Sequence, residues 1–500
     1  MFRFKTFAAA PALVILMGGT AHAALTADQV WQSWKDGAAM GDVAITAATE
    51  SNAGGVLTLN GVSIMPQGAP AAFTISDMTL TEEGDGSVTI RPGAAMGVDM
   101  TEGTNVFKMG VAHDGLTIVA REDGGALVYD FTAAKLDVDF NVSYEGYSWD
   151  AEQPTPVITN SGKVGMQGLA GKYSDAPGAN RAFGLDLNAA GFAYDFNSDD
   201  PGLQMKTTSH SETTDMVMNL GVTMPSTTSL MAVQGAADFR KILDEGFAVA
   251  MLFEQGGNTG SAKQEDQFFP YEMTISGQPS KGAFVFNKDV IDVRSEGAGL
   301  QLSLTSPAMP APVEISVGAV VMNMVMPVMA TTPADVLLQT KLTQLTLSDG
   351  VWGMFDPGAA LKREPLDLNI DVSGKTTLDF IGLMEAEETG AMPPIPAPEK
   401  LDITDISLKV AGAALDANGA FTFDNSMGIP MPLGTATVNV SGANALIDGL
   451  IATGLLQEQD AMSARMMMGM FMTPTGDDSL TSKIEAKEGF AIFVNGQQIQ

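Results

Sequence analysis

The stretch KLDVDFNVSYEGYSW, residues 135–149, decides the fold. Leu136, Val138, Phe140, Val142 and Tyr144 alternate with Asp137, Asp139, Asn141, Ser143 and Glu145. Successive side chains of a strand point to opposite faces, so a period of two puts a dry set and a wet set on the two sides of one β-strand. PLDLNIDVSGK, residues 365–375, repeats the pattern, with Leu366, Leu368, Ile370 and Val372 set against Asp367, Asn369, Asp371 and Ser373.

The pattern recurs in shorter runs, among them Phe183-Leu185-Leu187, Phe192-Tyr194-Phe196, Leu300-Leu302-Leu304 and Ile406-Leu408-Val410. Between them stand EEGDGS, REDGG, NAAG, DANG and KEG. Gly, Asn and Asp tolerate the positive φ of tight hairpin turns, so each break is read as a turn. The expected fold is mainly β, with extended antiparallel sheets built from successive hairpins, curved into a groove or stacked like a sandwich. Helical windows are few. TADQVWQSWKDGA has Thr26 as N-cap, and AADFRKILDEG stops at Gly246. A Met-rich C-terminal helix begins at NALIDGLIATG and continues past Gly454 to Pro474.

The first 23 residues carry Arg3 and Lys5, an apolar run from Leu13 to Met17, and Ala21-His22-Ala23. This is the form of a secretory signal peptide, cleaved after Ala23, and it implies delivery to the periplasm. Residues 24–500 are then expected as one elongated β-rich envelope domain, with the Pro-rich stretches at 307–312 and 392–400 as candidate subdivision points. The chain has no Cys, so its stability rests on burial and backbone pairing. With 26 Lys plus Arg against 59 Asp plus Glu, its net charge of −33 repels nucleic acid and anionic headgroups.

Catalytic and metal chemistry finds little to work with. Outside the signal only His113 and His210 remain, too few for a multi-histidine metal site, and both are read as solvated bystanders. DFNSDDPG sets out Asp195, Asn197 and Asp199 like a calcium loop, but Asp200 and Lys206 stand where Gly and Glu are needed. No cofactor is expected. In ARMMMGMFM, residues 464–472, Met466 and Met470 join Met462 at every fourth position. That spacing is read first as a helix packed on a sheet, second as the lining of an apolar groove, and last as thioether ligands for a soft metal.

Several segments together resemble a known family: LTADQVWQSWKDGAAMG, GVWGMFDPGAALKREPLDLNIDVSG, GAALDANGAFTFDN and the closing stretch from GANALIDGL to FVNGQQI. They are similar to the bacterial family catalogued as domain of unknown function 2125. The resemblance implies a Gram-negative cell-envelope protein and brings no activity or site residues. The closing helix and hairpin are also distantly similar to periplasmic proteins of the AsmA class, which implies a long β-groove that carries lipid.

The resulting expectation is a periplasmic, nonenzymatic β-protein that binds lipid or another apolar envelope component on its dry faces. The candidate groove residues are Leu136, Val138, Phe140, Val142, Leu366, Leu368, Ile370, Val372, Met462, Met466 and Met470. No nucleic acid partner and no integral membrane segment are expected after cleavage. A secreted carbohydrate-active or carbohydrate-binding β-protein is the alternative. An outer-membrane barrel ranks behind both, because six Tyr and four Trp make a poor aromatic girdle.

Overall fold

The computed structural model describes residues 24–40, 42–146, 155–225, 227–228, 230 and 233–500. The signal-like segment lies outside them. The chain is mainly antiparallel β with six short helices among the described residues, and it divides into two compact units. Unit 1 is residues 1–226 with 264–267, and unit 2 is residues 227–263 with 268–500.

Unit 1 begins with helix α1 (Ala27–Met40), followed by β1 (Val43–Ala53), β2 (Val56–Pro66), β3 (Phe73–Glu82) and β4 (Val88–Pro92). Next come β5 (Met96–Glu102), β6 (Asn105–Asp114) and β7 (Thr117–Asp123). Four long strands close it: β8 (Ala126–Glu145), β9 (Val157–Ala176), β10 (Asn180–Asp200) and β11 (Met205–Pro225). Thr26 caps α1 as expected, in a reciprocal box. The Thr26 hydroxyl accepts from the Gln29 N–H, and the Gln29 side chain accepts from the Thr26 N–H. The helix turns Val30, Trp31 and Trp34 onto the dry side of the sheet, where they bury Leu57, Leu59, Leu80, Ile90 and Tyr129 in one continuous core.

The sheet is forked. One half of β3 pairs with β4 and the other with β5, while the two halves of β8 pair with β7 and β6. Beyond β8 the order is β9, β10, β11. At the rim of the core Asp175 is almost fully buried, and Arg181 grips both its oxygens at 2.8 and 2.5 Å.

NAAG, read as a turn, lies inside β10. The apolar runs Phe183-Leu185-Leu187 and Phe192-Tyr194-Phe196 are two halves of one 21-residue strand. The alternation changes phase at Ala190, from odd to even positions. The neighbouring strands change phase at the same level, at Ala134, Gly168 and Asp215, so the registers stay in step. Gly168 and Asp215 take positive φ there. A second row runs through Ala48, Gly61 and Ser76. Leu57 and Leu59 before it, and Val62 and Ile64 after it, are buried in the same core. One extra residue per strand therefore keeps the dry side dry through the bend. DANG likewise lies inside a strand, where the backbone of a neighbouring strand comes so close that a Cβ at Gly419 would sit 2.7 Å from it.

Unit 2 opens with α2 (Ala236–Asp244), β12 (Ala248–Gln255), β13 (Asn258–Glu265), β14 (Tyr271–Gly277), β15 (Ser280–Phe286) and β16 (Val290–Thr305). It continues with β17 (Val313–Pro327), β18 (Met329–Leu347), α3 (Asp349–Phe355), β19 (Leu366–Asp379) and α4 (Phe380–Thr389). The rest is β20 (Ala397–Val410), β21 (Ala413–Asp424), β22 (Met431–Ser441), α5 (Ala443–Ala452), α6 (Glu458–Phe471), β23 (Thr473–Gly476), β24 (Ser479–Lys487), β25 (Ala491–Val494) and β26 (Gln497–Gln498). Strands β15 to β22 pair in chain order, and β24 follows β22. The stretch 307–312 connects β16 to β17, and 392–400 leads from α4 into β20.

The closely packed core of unit 2 is small. Ala236, Leu243, Val328 and Ile381 are buried where α2 meets α4. Arg240 on α2 holds the two helices together, donating to Asp379 at 2.9 Å and Glu385 at 2.7 Å. Asp379 also caps α4 by accepting from the Gly382 N–H.

Candidate apolar binding face

In unit 2 the two faces of the sheet are treated differently. On the wet face side chains satisfy one another across strands. Asn323 donates to Gln339 at 3.0 Å, Gln339 to Asp371 at 3.2 Å, and Asn369 to Asp405 at 2.6 Å. The dry face has no polar partner to find. Leu342, Leu368, Leu408, Leu415, Val440 and Leu480 stand side by side on six successive strands. At about 4.8 Å per strand that row spans about 24 Å.

The next rows over are Thr340, Ile370 and Ile406, then Met324, Leu338, Val372 and Ile403. All of these are half-buried or more exposed, because strand neighbours shield their flanks while no second layer of described residues buries their tips. Leu338 is 42 % exposed and Met322 44 %. Residues of such size on a dry face are ordinarily covered.

The strand residues expected to line a groove share faces as read, in two separate sets. Leu136, Val138, Phe140 and Val142 lie on β8 of unit 1, half-buried, with Phe140 packed over Gly162 and 6.5 Å from Phe196. Leu366, Leu368, Ile370 and Val372 lie on β19, in the uncovered face of unit 2. Each unit also has a recess. One of about 430 Å³ lies next to Gly61, Ile75 and Met96, and one of about 660 Å³ lies mainly among the polar residues Lys341, Asn369 and Ser407 of unit 2.

The Met stripe is turned the other way from its first reading. Met462, Met466 and Met470 are 71, 63 and 63 % exposed, while Ala461 is buried and Met468 half-buried. On the inward side Arg465 reaches back to α5, where its guanidinium donates to Asp448 at 2.6 Å and Asn444 at 3.3 Å.

The two histidines are engaged. His113 bridges the Gly93 carbonyl and the Leu116 N–H, tying two loops together. His210 lies 2.7 Å from Asp195 and 3.3 Å from Glu212, and the Asp195 hydrogen bond holds its pKa above the ordinary value. Asp195 and Asp199 stand along strand β10 with His210 and Lys206 as partners. Among the described residues no three His, Asp or Glu side chains gather as metal ligands. No described helix is long and apolar enough to cross a membrane.

A large antiparallel sheet with a self-satisfied polar face and an uncovered apolar face defines the class of structure. Residues 270–490, most of unit 2, match the model of the family described as an uncharacterized protein conserved in bacteria, DUF2125. That match bears out the resemblance read from the sequence over this span and contains the apolar face. No curated protein and no solved structure matches the chain. The likeness to AsmA-class proteins rests on the sequence alone.

Proposed function

We propose that the protein is an exported, periplasmic β-protein that holds a lipid or comparable apolar envelope component against the dry face of unit 2. The observation that carries this reading is the uncovered row from Leu342 to Leu480 with Leu338 and Met322 beside it. Covering about 300 Å² of such surface is worth on the order of 7 kcal/mol before binding costs. An acyl chain supplies that area without a polar group to desolvate. The polar ladder on the opposite face keeps that side wetted and leaves one side for the ligand. Export is supported by the signal-like segment before Ala24, and holding a ligand on this face is a nonenzymatic role that needs no catalytic step.

The test is native mass spectrometry of the full chain purified from the cell envelope, with lipid extraction, followed by binding of a fluorescent phospholipid. Leu338→Asp and Met322→Asp should abolish retention while leaving the melting temperature within a few degrees, because both sites are solvent-accessible. Lys341→Gln on the wet face should change nothing. Equal lipid retention by all three variants would sink the reading. N-terminal sequencing of the periplasmic fraction should begin at Ala24.

A further inference from the structure

Helix α6 is mounted with Ala461, Arg465 and Met468 toward the protein and its longer methionine stripe toward solvent. Arg465, its sole cation, is committed to Asp448 and Asn444 on α5. Its last turn is tied down as well, since the Phe471 carbonyl accepts from the Ser482 hydroxyl at 2.7 Å and the Asn495 amide at 2.9 Å. The outward stripe of Met462, Met466, Met467 and Met470 is therefore held in a fixed place. A surface helix ordinarily turns its apolar stripe to the core, and a contiguous exposed one marks a contact site. Methionine suits such a site because its unbranched thioether adapts to different shapes.

The flanks of the stripe identify the partner. At 100° per residue Glu458 lies about 40° to one side of Met462, and Asp460 about 160° to the other, just beyond Met467. Both carboxylates are exposed, and no free cation stands on the helix. An anionic bilayer surface is repelled by these flanks and by the net charge of −33. A second copy would bring the same carboxylates. We infer that α6 docks a basic amphipathic helix of a partner protein, with the partner's apolar stripe on the methionines and its Lys or Arg flanks on Glu458 and Asp460.

The test uses the full chain and two labelled amphipathic peptides of about 18 residues, five turns, with the same leucine stripe and either lysine or glutamate flanks. Fluorescence anisotropy should show binding of the lysine peptide and about tenfold or weaker binding of the glutamate peptide. Met466→Gln combined with Met470→Gln should weaken the lysine peptide by about tenfold with unchanged melting, as should Glu458→Gln with Asp460→Asn. Undiminished binding by the methionine variant would overturn the inference, since attraction to an acidic protein at large would then explain it. So would flotation with phosphatidylcholine or phosphatidylglycerol vesicles that the methionine variant loses, or a concentration-dependent doubling of mass that it loses. The first would assign the stripe to a membrane and the second to another copy of the chain.

Discussion

Leu59 in unit 1 and Leu338 in unit 2 are the same side chain on the dry face of the same kind of strand. One is wholly buried and the other 42 % exposed. The strands do not make the difference. Unit 1 places α1 with its two tryptophans against its sheet, whereas in unit 2 α2 and α4 pack on each other and close a small core around Ala236, Leu243, Val328 and Ile381. Alternation says which face of a sheet is apolar. Whether that face is a core or a surface depends on what the chain lays against it.

The strongest test of this contrast is a matched truncation. Leu59→Ala should cost about 2–5 kcal/mol in urea unfolding, whereas Leu338→Ala should cost less than about 1 kcal/mol. Similar losses at both would mean that the face of unit 2 is packed after all. The ion pairs extend the comparison. Arg181→Met strands the buried Asp175 and should cost about 3 kcal/mol. Arg240→Met in unit 2 should cost about 1–2 kcal/mol, because Asp379 and Glu385 remain over a quarter exposed and can rehydrate.

Smaller effects sharpen the picture. Asp478 caps α5, and although burial pulls its pKa upward, hydrogen bonds from Asn444 and Ala445 outweigh this and hold it below the ordinary value. Its contribution is full above the unfolded value near ~4 and is lost as pH falls through the lower folded value. Asp478→Ala should therefore cost about 1 kcal/mol at neutral pH and less in acid, read from urea melts at both. His210 is the mirror case. Its raised pKa gives a contribution that is full below ~6.5 and fades as pH rises through the higher folded value. With the side chain 43 % exposed, the gain stays within about 0.5 kcal/mol. An NMR titration should find the His210 midpoint above that of a free histidine, and Asp195→Asn should bring it down.

Much of the fold was legible because period two is a local signal. The strands around Leu136 and Leu366 and the Thr26 cap all follow from neighbouring residues. NAAG misleads because a one-residue phase change looks like a turn until three neighbouring strands are seen to make the same change. The roll of α6 was illegible because its inward side is set by contacts with another helix, such as Arg465 with Asp448 17 residues away. The helices α3 and α4 were missed because short apolar runs such as Phe380-Ile381-Gly382-Leu383 carry no clear period, and the Asp379 cap is the signal that could have found α4. Coverage of the faces is a tertiary property, and no alternation pattern contains it.

The rows of phase slips have a consequence for how such a chain can change over time. Deleting Ala190 alone would swap every later side chain of β10 between dry and wet while β9 and β11 stayed as they were. A single-codon deletion there is close to lethal for the sheet, yet the same deletion made at Ala134, Gly168, Ala190 and Asp215 together would merely straighten it. Length variation among relatives should therefore collect in the hairpin ends and skip these rows, so that the bend is inherited as one indivisible trait spread over four distant positions of the gene.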